Sequence, residues 1–179
     1  MRTISTNTVY TCPIFKVEER VVEHENGHVE NYWYVIKLPN VSVIGLTNDK
    51  NIVFISENRG NGAQLEIPGG KTDSYDPDDE DLRDQALAEL AQETGYKATD
   101  LEYLSKAVQN TDWSERVFHY FLAWNLEAGA QNLEAGEQIT IVLMSLEEVR
   151  DKLSHGQFPA YLQQVLSSAL TKFSEKGLI

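Results

Sequence analysis

A chain of 179 residues, 41% hydrophobic and 24% charged, has the composition of a folded domain and the length to bury one core. Its net charge of −13 argues against nucleic acid or an anionic membrane as partner, because both would be repelled at long range. Cys12 is the only cysteine, so no intrachain disulfide can form and a reducing, cytoplasmic setting is expected. The opening MRTISTNTVYTCPIF lacks the regions of a secretory signal, and the apolar run ITIVLM at 139–144 is far too short to span a bilayer.

No repeat or linker divides the chain, which predicts a single domain over 1–179. Residues 7–38 read as strands. TVYTCPIF comes first, then FKVEERVVE and HVENYWYVIKL on either side of Glu25-Asn26-Gly27, whose Asn-Gly is a strong hairpin signal. VSVIGL (41–46) and NIVFISE (51–57) form a second expected hairpin around Thr47–Lys50. Residues 58–81, rich in Gly, Asp and Asn, suit a long loop of the kind that carries function. A helix is predicted from about Asp81 to Thr94, with Leu82, Ala86, Leu90 and Ala91 on one face and Gly95 as its stop. LEYLSKAVQ, RVFHYFLAWNL and QITIVLMS read as strands. Ser145-Leu146-Glu147-Glu148 is a capping box opening a helix that Gly156 closes, and Gln157 to Ser174 forms the last helix. This order predicts an α+β fold in which a mixed sheet is sandwiched between helices, with an N-terminal antiparallel strand hairpin over 1–38.

The chemistry concentrates in Leu65–Tyr96, LEIPGGKTDSYDPDDEDLRDQALAELAQETGY. Glu89 and Glu93 stand four apart on an exposed helical face, roughly 5–6 Å apart at Cβ, where like charges repel unless a cation sits between them. Hard oxygen ligands select Mg²⁺, Ca²⁺ or Mn²⁺ over zinc. Pro68-Gly69-Gly70 upstream leaves the backbone bare for close approach to a metal or phosphate. A solvated acidic helix face following a turn would produce the same residues.

The spacing narrows this. The segment resembles the Nudix box, G-x5-E-x7-R-E-U-x-E-E-x-G-U with U a bulky apolar residue. Glu89, Leu90, Glu93, Gly95 and Tyr96 fall on E, U, the last E, G and U, and Glu80 falls on the first Glu. There are three departures. Ala88 stands at the box Arg, Gln92 replaces the first Glu of the E-E pair, and Gly70 lies four residues early, so that Ser74 takes the Gly position of a lengthened loop. A register without the insertion puts Arg83 near the Arg position but loses every helical carboxylate. The resemblance implies a Nudix fold and a pyrophosphohydrolase activity. Its Mg²⁺ (or Mn²⁺) would be held by Glu89, Glu93, Glu80, Gln92 through its amide oxygen, and the Gly69 carbonyl.

Outside the box, NIVFISENRGNGAQLEIPGG and Gly136-Glu137-Gln138-Ile139 look most like the ADP-ribose and nucleotide-sugar pyrophosphatase branch. That resemblance gives Arg59 a diphosphate contact and Glu137, or alternatively Glu134, the positioning of water. With Glu89 and Glu93, Glu137 completes the expected catalytic set. The Pro often found about sixteen residues past the box Gly is Thr111 here. Trp33 and Tyr34 point to opposite faces of one strand, so at most one can stack on a base. A core or dimer-interface place is the more ordinary role for either, and Trp33 is the candidate substrate contact. His24, His28, His119 and His155 lack zinc-ligand spacing. Ser114-Glu115-Arg116 fits a substrate mouth or an exposed turn equally. The expected substrate is a nucleoside diphosphate linked to a sugar or similar group, ADP-ribose first, with a homodimer expected from the N-terminal hairpin. The opposing reading, favoured by Ala88 and Gln92, is a nucleotide-binding regulatory module with weak or no turnover.

Overall fold

The computed structural model describes residues 1–58, 60 and 62–179. Among the described residues, ten strands and three helices follow in the order β1 (Arg2–Thr11), β2 (Phe15–Glu23), β3 (Val29–Lys37), β4 (Asn40–Leu46), β5 (Asn51–Asn58), β6 (Ala63–Glu66), β7 (Gly69–Lys71), α1 (Asp79–Thr94), β8 (Lys97–Asn110), β9 (Ser114–Glu127), β10 (Ile139–Ser145), α2 (Leu146–Ser154) and α3 (Ala160–Glu175). The strands build one mixed sheet ordered β1-β2-β3-β9-β4-β5-β10, with β6 on β5, β7 on β4 and β8 on β9. Pairing of β9 with β3 and β4 is parallel, and the other pairs are antiparallel.

The period of two along the central strands divides the core. Ile44, Leu46, Ile52, Phe54 and Leu122 face α2 and α3, where they meet Val149, Leu162, Leu166 and Phe173. Their neighbours Val41, Val43, Val53, Phe121 and Ala123 face Leu82, Ala86 and Leu90 of α1. The expected α+β sandwich is what the chain forms.

Several boundaries move for local reasons. The first strand begins at Arg2 and stops at Thr11, because Pro13 has no N–H to give a ladder; TVYTCPIF is therefore a strand followed by a turn. The N-terminal element is a three-stranded meander, since β1 adds to the predicted hairpin along the edge of β2. The β4–β5 hairpin pairs only at Gly45–Val53 and Leu46–Ile52 and then splays. Into the opening fold β6 and β7, so the stretch predicted as loop over 58–81 contains two short strands. Helix α1 starts at Asp79, because Asp78 accepts from the N–H groups of Glu80 and Asp81 and Asp81 returns a bond to the Asp78 N–H. Gly95 ends it at φ 73°, packed so closely on Gly129 that a side chain would strike that backbone. Helix α3 starts after Pro159, whose carbonyl accepts the Gln163 N–H, rather than at Gln157. Among the described residues no helix is long and apolar enough to cross a membrane.

Candidate functional site

Splaying of β4 from β5 is what makes the site. Strand β7 is drawn against β4 with Ser42 opposite Gly69, and this sets the two glycines under α1. Glu93 is nearly sealed there, 3% exposed, and its Oε2 accepts the Gly69 N–H at 2.7 Å. The expectation of an exposed Glu93 is therefore corrected: the carboxylate points inward, onto the sheet. It is the amide of Gly69 that meets this carboxylate. Gly70 lies so close to Glu89 that a Cβ would occupy the space of its carboxylate, which explains the bare backbone at this point. Gln85 Nε2 also donates to Glu89 Oε1, at 2.8 Å.

The loop over 128–138 is latched to the end of α1. Asn132 N–H donates to the Gln92 carbonyl at 2.9 Å, and Gln131 Nε2 donates to the Glu93 carbonyl at 2.6 Å. Within the loop the Glu134 N–H donates to Glu137 Oε2 at 2.8 Å, while Glu137 N–H donates to the Glu134 carbonyl at 3.1 Å. A bond from Asn58 N–H to the Gln138 carbonyl ties the loop to the end of β5, where Glu57 is buried.

Four carboxylates thus share one partly desolvated place. Burial, first, and then the charges of Glu89, Glu137 and Glu57 push the Glu93 carboxyl up to about 8, against the opposing bond from Gly69. Glu89 is also raised, by burial first and by Glu137 and Glu134, with Gln85 and Lys71 acting the other way. The raised carboxyls of Glu89 and Glu93 form a pair that a divalent cation would relieve, and all donors are hard oxygens. Among the described residues no three acidic or imidazole side chains already form a ligand shell. An ion here would complete its coordination with water and substrate oxygens, as Mg²⁺ commonly does.

Beside Gly69 opens a cleft of about 530 Å³. One wall is a ladder on β9: the Arg116 guanidinium lies 5.0 Å over the Phe118 ring, and Phe118 stacks on Tyr120 at 6.4 Å and 10°. Arg116 Nη2 donates to Asn40 Oδ1 at 2.8 Å, and Tyr161 of α3 and Glu66 of β6 close the far side. Such a surface suits a planar base attached to polar groups.

The structure brings Glu89, Glu93, Gly69 and Glu137 together and leaves others apart. Glu80 is exposed in the first turn of α1, nine residues and about 13 Å of axial rise before Glu89. Gln92 is half-buried at the cluster's edge and contributes its backbone carbonyl to the loop latch. Trp33 is exposed on β3, opposite Glu19, and does not line the cleft. Its neighbour Tyr34 packs under the Arg20 guanidinium at 4.4 Å. Arg59 lies outside the described residues. Arg83 donates to the Leu101 carbonyl, away from the carboxylates. Ala88 lines a hollow of about 330 Å³ between α1 and the lengthened loop. Of the Ser114–Arg116 segment, Arg116 does line the cleft. Sequence reasoning missed Glu57, Gln85, Gln131 and the cleft aromatics. The alternation Arg116, Phe118, Tyr120 carried a signal for one shared face, and the four-residue step from Gln85 to Glu89 another; Glu57 and Gln131 carried none.

Comparison with known proteins fits this geometry. A methanol dehydrogenase activator from Bacillus methanolicus is 28% identical over 151 residues, covering 82% of this chain and 80% of the relative. An ADP-ribose pyrophosphatase from Bacillus subtilis (strain 168) is 25% identical over 152 residues with the same coverage. The crystal structure of an ADP compounds hydrolase superposes with a TM-score of 0.77 at 20% identity, covering 99% of this chain and 96% of that one, which establishes the shared fold. The model of the NUDIX domain matches residues 36–164, from the end of β3 into α3 and across every element of the site, and the chain belongs to that family.

Proposed function

We propose that the chain is a Nudix hydrolase cleaving the diphosphate of a nucleoside diphosphate linked to a sugar or similar group, with ADP-ribose as the first substrate to test. One observation carries this: Glu93 accepts the Gly69 N–H and Glu89 lies against Gly70, beside an aromatic-walled cleft that Gly69 itself lines. The ADP-ribose pyrophosphatase relative supports the choice of substrate.

Glu89 and Glu93 would hold Mg²⁺ (or Mn²⁺), with Gln92 and the Gly69 carbonyl as neutral oxygens nearby and Glu80 at most as an outlying charge. A bound divalent cation supplies neutralisation of the charge that builds on the diphosphate oxygens during phosphoryl transfer. The cleft would take the base against Phe118, Tyr120 and Tyr161 and exclude water from it. Glu137, oriented by the Glu134 N–H, would align the attacking water and accept its proton. Arg59 is assigned a forked contact to the diphosphate. The assay is release of AMP from ADP-ribose, beside a panel of nucleotide sugars, with and without Mg²⁺. Absence of cation-dependent turnover on every member would overturn the proposal.

A second reading has its own support. Gln92 supplies no charge, Ala88 no guanidinium, and one relative is named as an activator. A regulatory module would bind ADP-ribose in calorimetry without cutting it. We further propose a cytoplasmic homodimer formed through the meander, whose β1 is exposed along its whole length. Sedimentation as a 20.2 kDa monomer at micromolar concentration would remove the dimer.

A further inference from the structure

Glu89 is held by two neighbours. Gln85 stands one turn before it on α1 and donates from Nε2 to Oε1 at 2.8 Å. Gly70 is the other, since the carboxylate lies where a Cβ on that residue would have to stand. A glutamate side chain has three rotatable bonds and loses substantial freedom when fixed. Here the amide and the bare backbone select its orientation before any ligand arrives.

The neutrality of the donor matters. An arginine or lysine in that place would pair with Glu89 and cancel charge that a cation needs. An amide N–H engages one oxygen through one lone pair and leaves the carboxylate its full negative charge. The neighbouring position offers no substitute, because Ala88 contributes only a methyl group to the hollow it shares with Gln85. Lys71 acts on Glu89 through its field, with no hydrogen bond between them among those the structure describes.

We infer that Gln85 is a positioning residue of this centre, its side-chain amide fixing Glu89 in the orientation that takes a divalent cation. The inference rests on the assignment of Glu89 to the cation site made above.

Gln85→Met tests it, keeping length and helix propensity while removing the donor. Gln85→Ala serves as a second donor-free variant in case the thioether packs poorly. Mn²⁺ is titrated calorimetrically into each full-length protein without nucleotide, and melting is followed in EDTA. Both variants should bind Mn²⁺ about 10- to 100-fold more weakly, the effect of one hydrogen bond to a charged group. Their melting temperatures in EDTA should stay within about 2 °C of wild type. Unchanged Mn²⁺ affinity in both variants overturns the inference alone. Weaker binding accompanied by a fall of more than about 5 °C in EDTA also overturns it, by making the role structural. If the wild type itself binds no Mn²⁺, the cation-site assignment fails and the inference with it.

Discussion

Replacing Glu93 by glutamine should stabilise the metal-free protein while removing its hydrolytic activity. The carboxyl is 3% exposed, bonded to the Gly69 N–H, and pushed up to about 8 from an ordinary 4.5. A raised carboxyl favours the protonated native state. The stability it contributes is fully present below 4.5 and is lost as pH rises through about 8. A displacement of that size corresponds to about 5 kcal/mol between the two ionisation states, and a neighbour that takes up a proton in its place relieves part of it. We therefore expect about 1–3 kcal/mol at pH 8, or a melting temperature some 2–10 °C higher in Glu93→Gln. At pH 5 the two proteins should nearly coincide, since Glu93 is then protonated in the native state and the glutamine oxygen can accept the Gly69 N–H equally well. Mg²⁺ at about a hundredfold excess over its dissociation constant should reverse the ranking by adding ~2.7 kcal/mol to wild type alone. The assay is scanning calorimetry from pH 5 to 8 with EDTA or Mg²⁺, beside AMP release from ADP-ribose. A Glu93→Gln protein that melts at or below wild type in EDTA at pH 8 would refute the burial-and-crowding argument. Equal Mg²⁺ stabilisation of both proteins would refute the ligand assignment.

Other perturbations separate the parts of the site. Gly70→Ala places a methyl group in the space of the Glu89 carboxylate, and displacing that group should lower turnover by on the order of 10²-fold with far-ultraviolet circular dichroism unchanged; wild-type rates would show that Glu89 works from another position. Gln92→Glu adds a carboxylate three residues after Glu89 and one before Glu93, so Mg²⁺ affinity by calorimetry should rise; unchanged or weaker binding would mean that position 92 does not face the ion. Gln131→Ala removes the bond to the Glu93 carbonyl, which should cost about 0.5–1.5 kcal/mol and speed hydrogen exchange across 130–137, while exchange equal to wild type would show that the Asn132 bond alone holds the loop.

Much of this was legible because it is local. The helix carrying Glu89 and Glu93 shows itself in the spacing of Leu82, Ala86 and Leu90, and its left-handed stop in Gly95, each a matter of a few neighbouring residues. Even there, four consecutive acidic residues, 78–81, blurred the start: Asp78 outcompetes later candidates as cap because Asp81 can bond back to its N–H. Strands β6 and β7 were hidden in a Gly- and Asp-rich stretch because their pairing is supplied by partners exposed when β4 and β5 splay, and no short window encodes that.

The site divides along the same line. A four-residue step on one helix announces Glu89 and Glu93, but whether such a pair faces water or the sheet depends on what packs against it. Here β7 does, and Glu93 is a sealed carboxylate bonded to the Gly69 amide rather than an exposed one. Glu57 and Glu137 reach the cluster from 32 and 48 residues away in sequence from Glu89, through the β5–β10 ladder that sets Ile139 opposite Glu57, the bond between Asn58 and Gln138, and the latch at Gln131 and Asn132. The cluster's charge is therefore a tertiary property, and it costs the metal-free fold stability. A sequence selected only for folding would place apolar or neutral residues at 89 and 93; keeping carboxylates there is intelligible when a cation and an anionic substrate complete the site.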